Sequence, residues 1–231
     1  MNTDLKVINY LYRMFKEVIT ILDKNDIEYF ADGGTLLGAV RHQAIIPWDD
    51  DIDISIVENE IIIDFLDNKI KSILQVLNLN IVKTSFGYKI FHIEGKKIKI
   101  KNKWRHHLKL EKQRFNKISR SDLYREASKS YNKDDYEYYD YNYPFIDIFM
   151  MKKVGDKIMY SEKNSPWEKN YFNITDLYPL KKYKFGELLI NGAIEPDNFL
   201  TMNYGSNYMN EAYIDYDHET ECKIKKIYIN I

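Results

Sequence analysis

The sequence predicts a mixed α/β domain, a small sheet flanked by helices, and three kinds of stretch predict it. Two long runs, residues 4–24 and 58–77, repeat apolar residues at helical spacing. Between them, Asp51-Ile52-Asp53-Ile54-Ser55-Ile56 alternates with the period of two that marks a strand. Further on, Phe145-Ile146-Asp147-Ile148-Phe149 is an apolar strand interrupted by one carboxylate. At 231 residues the chain is long enough to bury roughly 70 per cent of its unfolded surface, enough for a single domain over 1–231.

The first helix is read from Leu5, Ile8, Leu11, Phe15, Val18, Ile19 and Leu22, with Thr3 as its N-cap and Asn25-Asp26 as its stop. A first strand over 27–31 then delivers the pair Gly33-Gly34. Thr35 follows, and Leu36, Leu37, Ala39 and Val40 form a short apolar helical turn. After a loop bent by Pro47 come Asp49, Asp50, Asp51 and Asp53. The helix over 58–77 presents Ile61, Ile62, Phe65, Leu66, Ile70, Ile73, Leu74 and Leu77 to the sheet. Strand-like runs are expected at 81–84, 88–93 and 97–100, and a hairpin turn at Val154-Gly155-Asp156-Lys157.

The chemistry is concentrated between Ala31 and Val57. On a strand, Asp51 and Asp53 share a face while the isoleucines line the other. Two adjacent carboxylates repel, and a hard divalent cation bound by oxygen is the economical way to hold them together. Glycines ahead of a helical turn let backbone N–H groups approach an anion, so Gly33, Gly34 and Thr35 read as a phosphate seat. A phosphate seat beside a Mg²⁺ or Mn²⁺ seat is an arrangement for phosphoryl transfer. A solvated acidic loop is the plain alternative. A calcium loop over Asp49, Asp51, Asp53 and Glu60 is disfavoured, because its sixth position is Ile54, where the tight turn needs glycine. Arg41 is placed to clamp a phosphate or to be solvated, His42 reads as structural or exposed, and Trp48 as a wedge behind the acidic loop. Asp147 is a third candidate acid, since a charge inside so apolar a strand is costly unless paired or metal-bound.

The segment GGTLLGAVRH followed by IPWDDDIDI resembles the LicD family of phosphoryl transferases, which includes phosphocholine transferase-like and fukutin-related members. The family has the fold of the nucleotidyltransferase (polymerase β-like) superfamily. The resemblance extends to a FIDIF-type strand around Asp147, to a closing PL-K-F-G element over 178–186 and to a YG element over 196–205. It implies that Asp51 and Asp53 hold Mg²⁺ or Mn²⁺, that Asp147 completes the metal site or takes the acceptor's proton, and that Asp147 lies on the strand beside them. The implied donor is a CDP-linked alcohol carrying choline, glycerol or ribitol. CMP leaves, and a glycan hydroxyl accepts. The same fold also moves nucleotides from an NTP to RNA, a protein or a small molecule, so that reaction stays open.

Composition bounds the remainder. The formal net charge is −1, so nothing in the global balance calls for nucleic acid. Locally, eleven Lys and Arg crowd residues 96–120 against the single acid Glu111, with Trp104, His106, His107 and Phe115 interleaved. A solvated face, a nucleic-acid groove and a seat for an anionic donor or glycan all fit that stretch. Residues 131–143 then turn acidic, with six tyrosines that read as a neutralising partner or a cage for a quaternary ammonium. An irregular insertion is expected over about 101–142. One cysteine, Cys222, excludes an internal disulfide, and with no signal or membrane span visible the expected location is cytoplasmic. From Asn207 onward the sequence offers no legible chemistry, and Asp217-His218 has no nucleophile near it in sequence.

Overall fold

The structure is a computed structural model that describes residues 2–100, 138–162, 167 and 169–229. The basic arm beyond residue 100 and the acidic, tyrosine-rich stretch up to 137 lie outside the described residues.

Helix α1 (Leu5–Lys24) starts on Asp4, whose side chain accepts the N–H of Lys6, and buries Leu11, Met14, Phe15, Val18, Ile19, Ile21 and Leu22. Thr3 instead donates its backbone N–H to Pro47. The first strand is only β1 (Phe30–Ala31), because α2 (Gly33–Arg41) begins at the glycine pair itself, with Asp32 as N-cap. After β2 (Ile52–Val57), the second amphipathic run forms α3 (Glu60–Asp64), a π-helical turn (Phe65–Lys69) and α4 (Ile70–Val76). β3 (Leu79–Lys83) and β4 (Gly87–Lys99) follow, and the two strand-like runs expected within β4 are one strand with a register shift between Phe91 and Lys96. The strand around Asp147 is much longer than its apolar core: β5 runs Tyr138–Val154 and takes in part of the expected insertion. Gly155, at φ +63°, turns it into β6 (Lys157–Tyr160). The rest comprises β7 (Tyr171–Asn173), α5 (Ile174–Leu177), the hairpin β8 (Lys181–Phe185) and β9 (Leu188–Gly192), α6 (Asp197–Tyr204), and the hairpin β10 (Ala212–Asp217) and β11 (Cys222–Ile229).

The main sheet is mixed, in the order β1-β2-β5-β4-β3, with β6 and β7 added along the far end of β5. β2 runs parallel to β5, and β4 antiparallel to it. On one face, Ile52 and Ile54 of β2, Ile146 and Ile148 of β5 and Ile90 of β4 join the core residues of α1 in one buried cluster. Each such side chain stabilises the fold by about 1.5–3 kcal/mol. The intervening positions rise on the opposite face. There the register sets Asp53 beside Asp147 and Asp147 beside Lys89, three charged residues abreast on three neighbouring strands.

Candidate metal centre

Asp51, Asp53 and Asp147 each offer a carboxylate oxygen, and these atoms lie within 4.8 Å of one another. Asp51 sits one residue before β2 and is buried, as is Asp147. Burial raises the pKa of all three, and mutual repulsion raises those of Asp51 and Asp53 further. A second group, Asp49, Asp50, Asp51 and His218, shares Asp51 with the first. Burial, and then the charge of Asp53, lifts Asp49 to about 7.

The glycine turn makes room for these carboxylates. A Cβ on Gly34 would stand 2.5 Å from Asp49 Oδ2, and one on Gly33, at φ +43°, would stand 2.7 Å from Asp53 Oδ2. The N–H of Gly34 donates to Asp53 Oδ2 at 3.1 Å, so the anion at this helix start is a carboxylate of the chain itself. Thr35, expected among the phosphate contacts, is 3% exposed, and its hydroxyl accepts the N–H of Asp53 at 2.8 Å. It fixes where β2 begins. Beneath the turn, Asp32 is fully buried; it accepts the N–H of Gly33 and the hydroxyls of Ser55 and Tyr160.

The donor set fits a hard divalent ion. It is all oxygen, and a divalent ion would offset the repulsion among three carboxylates held this close together. Oδ2 of Asp147 accepts from Lys89 Nζ at 2.8 Å, and the same ammonium lies 2.7 Å from Oδ1.

A family model described as LicD/FKTN/FKRP, nucleotidyltransferase domain, matches residues 26–136, a stretch that includes the glycine turn, Asp51, Asp53 and Lys89 but stops short of Asp147. This stretch resembles the nucleotidyltransferase domain of the LicD family. An uncharacterized protein of Rickettsia typhi is 31% identical to it over 198 residues, which are 84% of this chain and 45% of the relative. The lipopolysaccharide cholinephosphotransferase LicD of Haemophilus influenzae is 38% identical over 56 residues, 24% of this chain and 18% of that protein. The human ribitol 5-phosphate transferase FKRP is 49% identical over 39 residues, 17% of this chain and 8% of that protein. The chain spans about half the length of the rickettsial relatives it matches.

The other candidate residues are placed differently from one another. Arg41 closes α2, and its guanidinium donates to the carbonyls of Tyr208 at 2.6 Å and Glu211 at 3.1 Å, while Nε donates to His42. It thus ties the C-terminal region to α2 and is not simply solvated. His42 and Arg41 both lie against Trp48, which packs on the core behind the acidic loop. Tyr141, of the expected aromatic cage, and Phe145 and Phe86 stand 5.0, 3.4 and 5.5 Å from Lys89 Nζ, so among the described residues these rings surround a cation of the chain's own.

The C-terminal segment corrects the sequence reading. The hairpin of β10 and β11 brings His218 to the acids, with Nδ1 2.7 Å from Asp50 Oδ1 and Nε2 3.2 Å from Asp51 Oδ2. Burial alone would lower its pKa, but Asp51, Asp50 and Asp49 outweigh burial and hold the imidazole well above its usual value. Glu221, from the same hairpin, reaches within 3.8 Å of Lys89. Lys89 and His218 were missed because each is isolated in sequence and meets the acids only through strand pairing or a remote hairpin; Asp32, next to the glycine pair, was missed because only the fold buries it. The one available signal was the lysine inside the otherwise apolar Tyr88–Phe91 stretch.

Proposed function

We propose that the chain is a metal-dependent transferase that moves a phospho-alcohol group from a CDP-linked donor to a glycan hydroxyl, releasing CMP. The observation that carries this is the convergence of Asp51, Asp53 and Asp147 beside the glycine turn of a chain that resembles the LicD family. The names of the Haemophilus and human relatives, a cholinephosphotransferase and a ribitol 5-phosphate transferase, describe transfers of this kind.

In this reading Asp51, Asp53 and Asp147 hold Mg²⁺ or Mn²⁺, which would neutralise charge on the donor's phosphates. The bare backbone at Gly33 and Gly34 lets Asp49 and Asp53 pack against the turn and so keeps the carboxylates gathered at one place. An acceptor hydroxyl oxygen forms the new bond to phosphorus as the bond to the CMP oxygen breaks, and a carboxylate of the cluster takes the hydroxyl proton. Tyr204, at the end of α6, is kept protonated by burial and by the charges of Asp53 and Asp49, and so remains a hydrogen-bond donor beside them.

Among the described residues no helix is long and apolar enough to cross a membrane.

The test is calorimetric titration of CDP-choline, CDP-glycerol, CDP-ribitol, CTP and ATP, with and without Mg²⁺, into wild type and the Asp51→Asn/Asp53→Asn variant. Metal-dependent binding of one CDP-alcohol, lost in the variant, supports the reading. Binding of nucleoside triphosphates alone, with pyrophosphate as the product, would replace it with nucleotidyl transfer.

A further inference from the structure

Lys89 is 5% exposed, in the middle of β4, and directly opposite Asp147 in the antiparallel register with β5. A buried lysine is costly, and its cost is offset here by an equally buried carboxylate with both oxygens within 2.8 Å. The geometry does more than cancel charge. The Phe145 ring lies 3.4 Å from Nζ, with Tyr141 and Phe86 further out, so the ammonium is confined on the sides away from Asp147. Glu221 of the C-terminal hairpin closes the remaining approach at 3.8 Å. The ammonium lies 2.8 Å from Oδ2 and 2.7 Å from Oδ1, and so bridges the two carboxylate oxygens.

We propose that Lys89 is a positioning residue, whose clamped ammonium fixes the Asp147 carboxylate in the orientation that sets one of its oxygens within 4.8 Å of those of Asp51 and Asp53, for the divalent ion. The proposal rests on the metal-dependent reading above and adds a residue to it. Lys89 is itself a cation and so no ligand for the ion. It acts through Asp147, as the outer partners of metal ligands do, by holding the ligand's orientation.

Two effects of removing Lys89 have opposite signs, which makes the idea testable. If the lysine were only a counter-ion, its loss would leave the site more negative, and cation binding would tighten. If it orients Asp147, its loss frees the carboxylate and binding weakens by about tenfold or more.

The experiment is Mn²⁺ titration by calorimetry on wild type, Lys89→Met, Asp147→Asn and the double variant, with circular dichroism to confirm folding. Lys89→Met is expected to weaken Mn²⁺ binding in the wild-type background and to change it little once Asp147 is already Asn, because the lysine then has no ligand to orient. Should Lys89→Met fail to fold, Lys89→Gln, which keeps a single donor toward Asp147, takes its place in the cycle with a smaller loss expected.

Unchanged or tighter binding in the folded Lys89 variant, or equal losses in both backgrounds, overturns the positioning role and leaves the metal site standing. Failure of wild type to bind Mn²⁺ overturns both.

Discussion

Asp53 and Asp147 stand opposite each other on adjacent parallel strands, one buried and one nearly so, with the same face of the sheet beneath both. Their neighbours separate their fates. Asp147 shares a buried lysine, whereas Asp53 is met by Asp51, Asp147 and Asp32 and by a single backbone N–H.

Substituting these two acids is therefore expected to shift stability in opposite directions. Asp53→Asn removes like-charge repulsion while the amide oxygen still accepts from Gly34, and should stabilise the metal-free protein by about 1 kcal/mol, roughly 2–4 °C in Tm. Asp147→Asn leaves Lys89 buried with only the more distant Glu221, at 3.8 Å, as counter-charge and should cost about 3 kcal/mol. Thermal denaturation in a chelator checks both. A loss of stability in Asp53→Asn would show that the acids do not strain the fold.

The pH dependence of the metal-free protein follows from the same repulsion. Asp49 is raised to about 7, and Asp51, Asp53 and Asp147 are raised as well, by burial first. The folded protein thus keeps protons that the unfolded chain releases near about pH 4. Their contribution to stability is full below that pH and is lost as pH rises through the folded values, about 7 for Asp49. His218, also raised, acts in the same direction, losing its contribution as pH rises through its folded value. Urea midpoints in a chelator should fall between about pH 5 and about pH 8, and Mg²⁺ should restore much of the loss. The fall should be shallower in Asp49→Asn, and equal slopes in the two proteins would contradict this account.

Alanine at either glycine of the turn is expected to disturb the acids directly. Gly34→Ala sets a methyl 2.5 Å from Asp49 Oδ2, and Gly33→Ala adds a left-handed backbone to a 2.7 Å contact with Asp53. Each should cost about 1–3 kcal/mol and weaken divalent-ion binding, as read from denaturant midpoints and Mn²⁺ titration. Normal metal affinity in both variants would mean that the glycines serve something other than the carboxylates.

His218 fastens the C-terminal hairpin to Asp50 and Asp51. His218→Ala should release it, losing on the order of 2 kcal/mol of local stability and speeding hydrogen exchange of the backbone amides in β10 and β11. Exchange unchanged in those strands would show that other contacts hold the hairpin.

The sequence by itself determined the local grammar of this protein. The apolar periodicity of α1, the alternation that places Ile52 and Ile54 in the core with Asp53 on the other face, the glycine turn and the lone acid of β5 were all legible, because each is a pattern of neighbours in the chain. The family likeness was legible for the same reason, since GGTLLGAVRH and IPWDDDIDI are contiguous strings. Boundaries were less so: β5 extends well beyond Phe145–Phe149, since pairing with β4 holds residues whose own composition reads as insertion.

Tertiary structure alone decided which isolated residues join the site. Lys89 reaches Asp147 through strand register, Asp32 is buried under the glycines by Ser55 and Tyr160, and His218 returns from the far end of the chain to the acids. It also turned Thr35 inward and gave Arg41 to the carbonyls of Tyr208 and Glu211. The physical reason is that buried charges and donors must be satisfied wherever a partner lies in space, and separation along the chain, 167 residues between Asp51 and His218, carries no information about that distance.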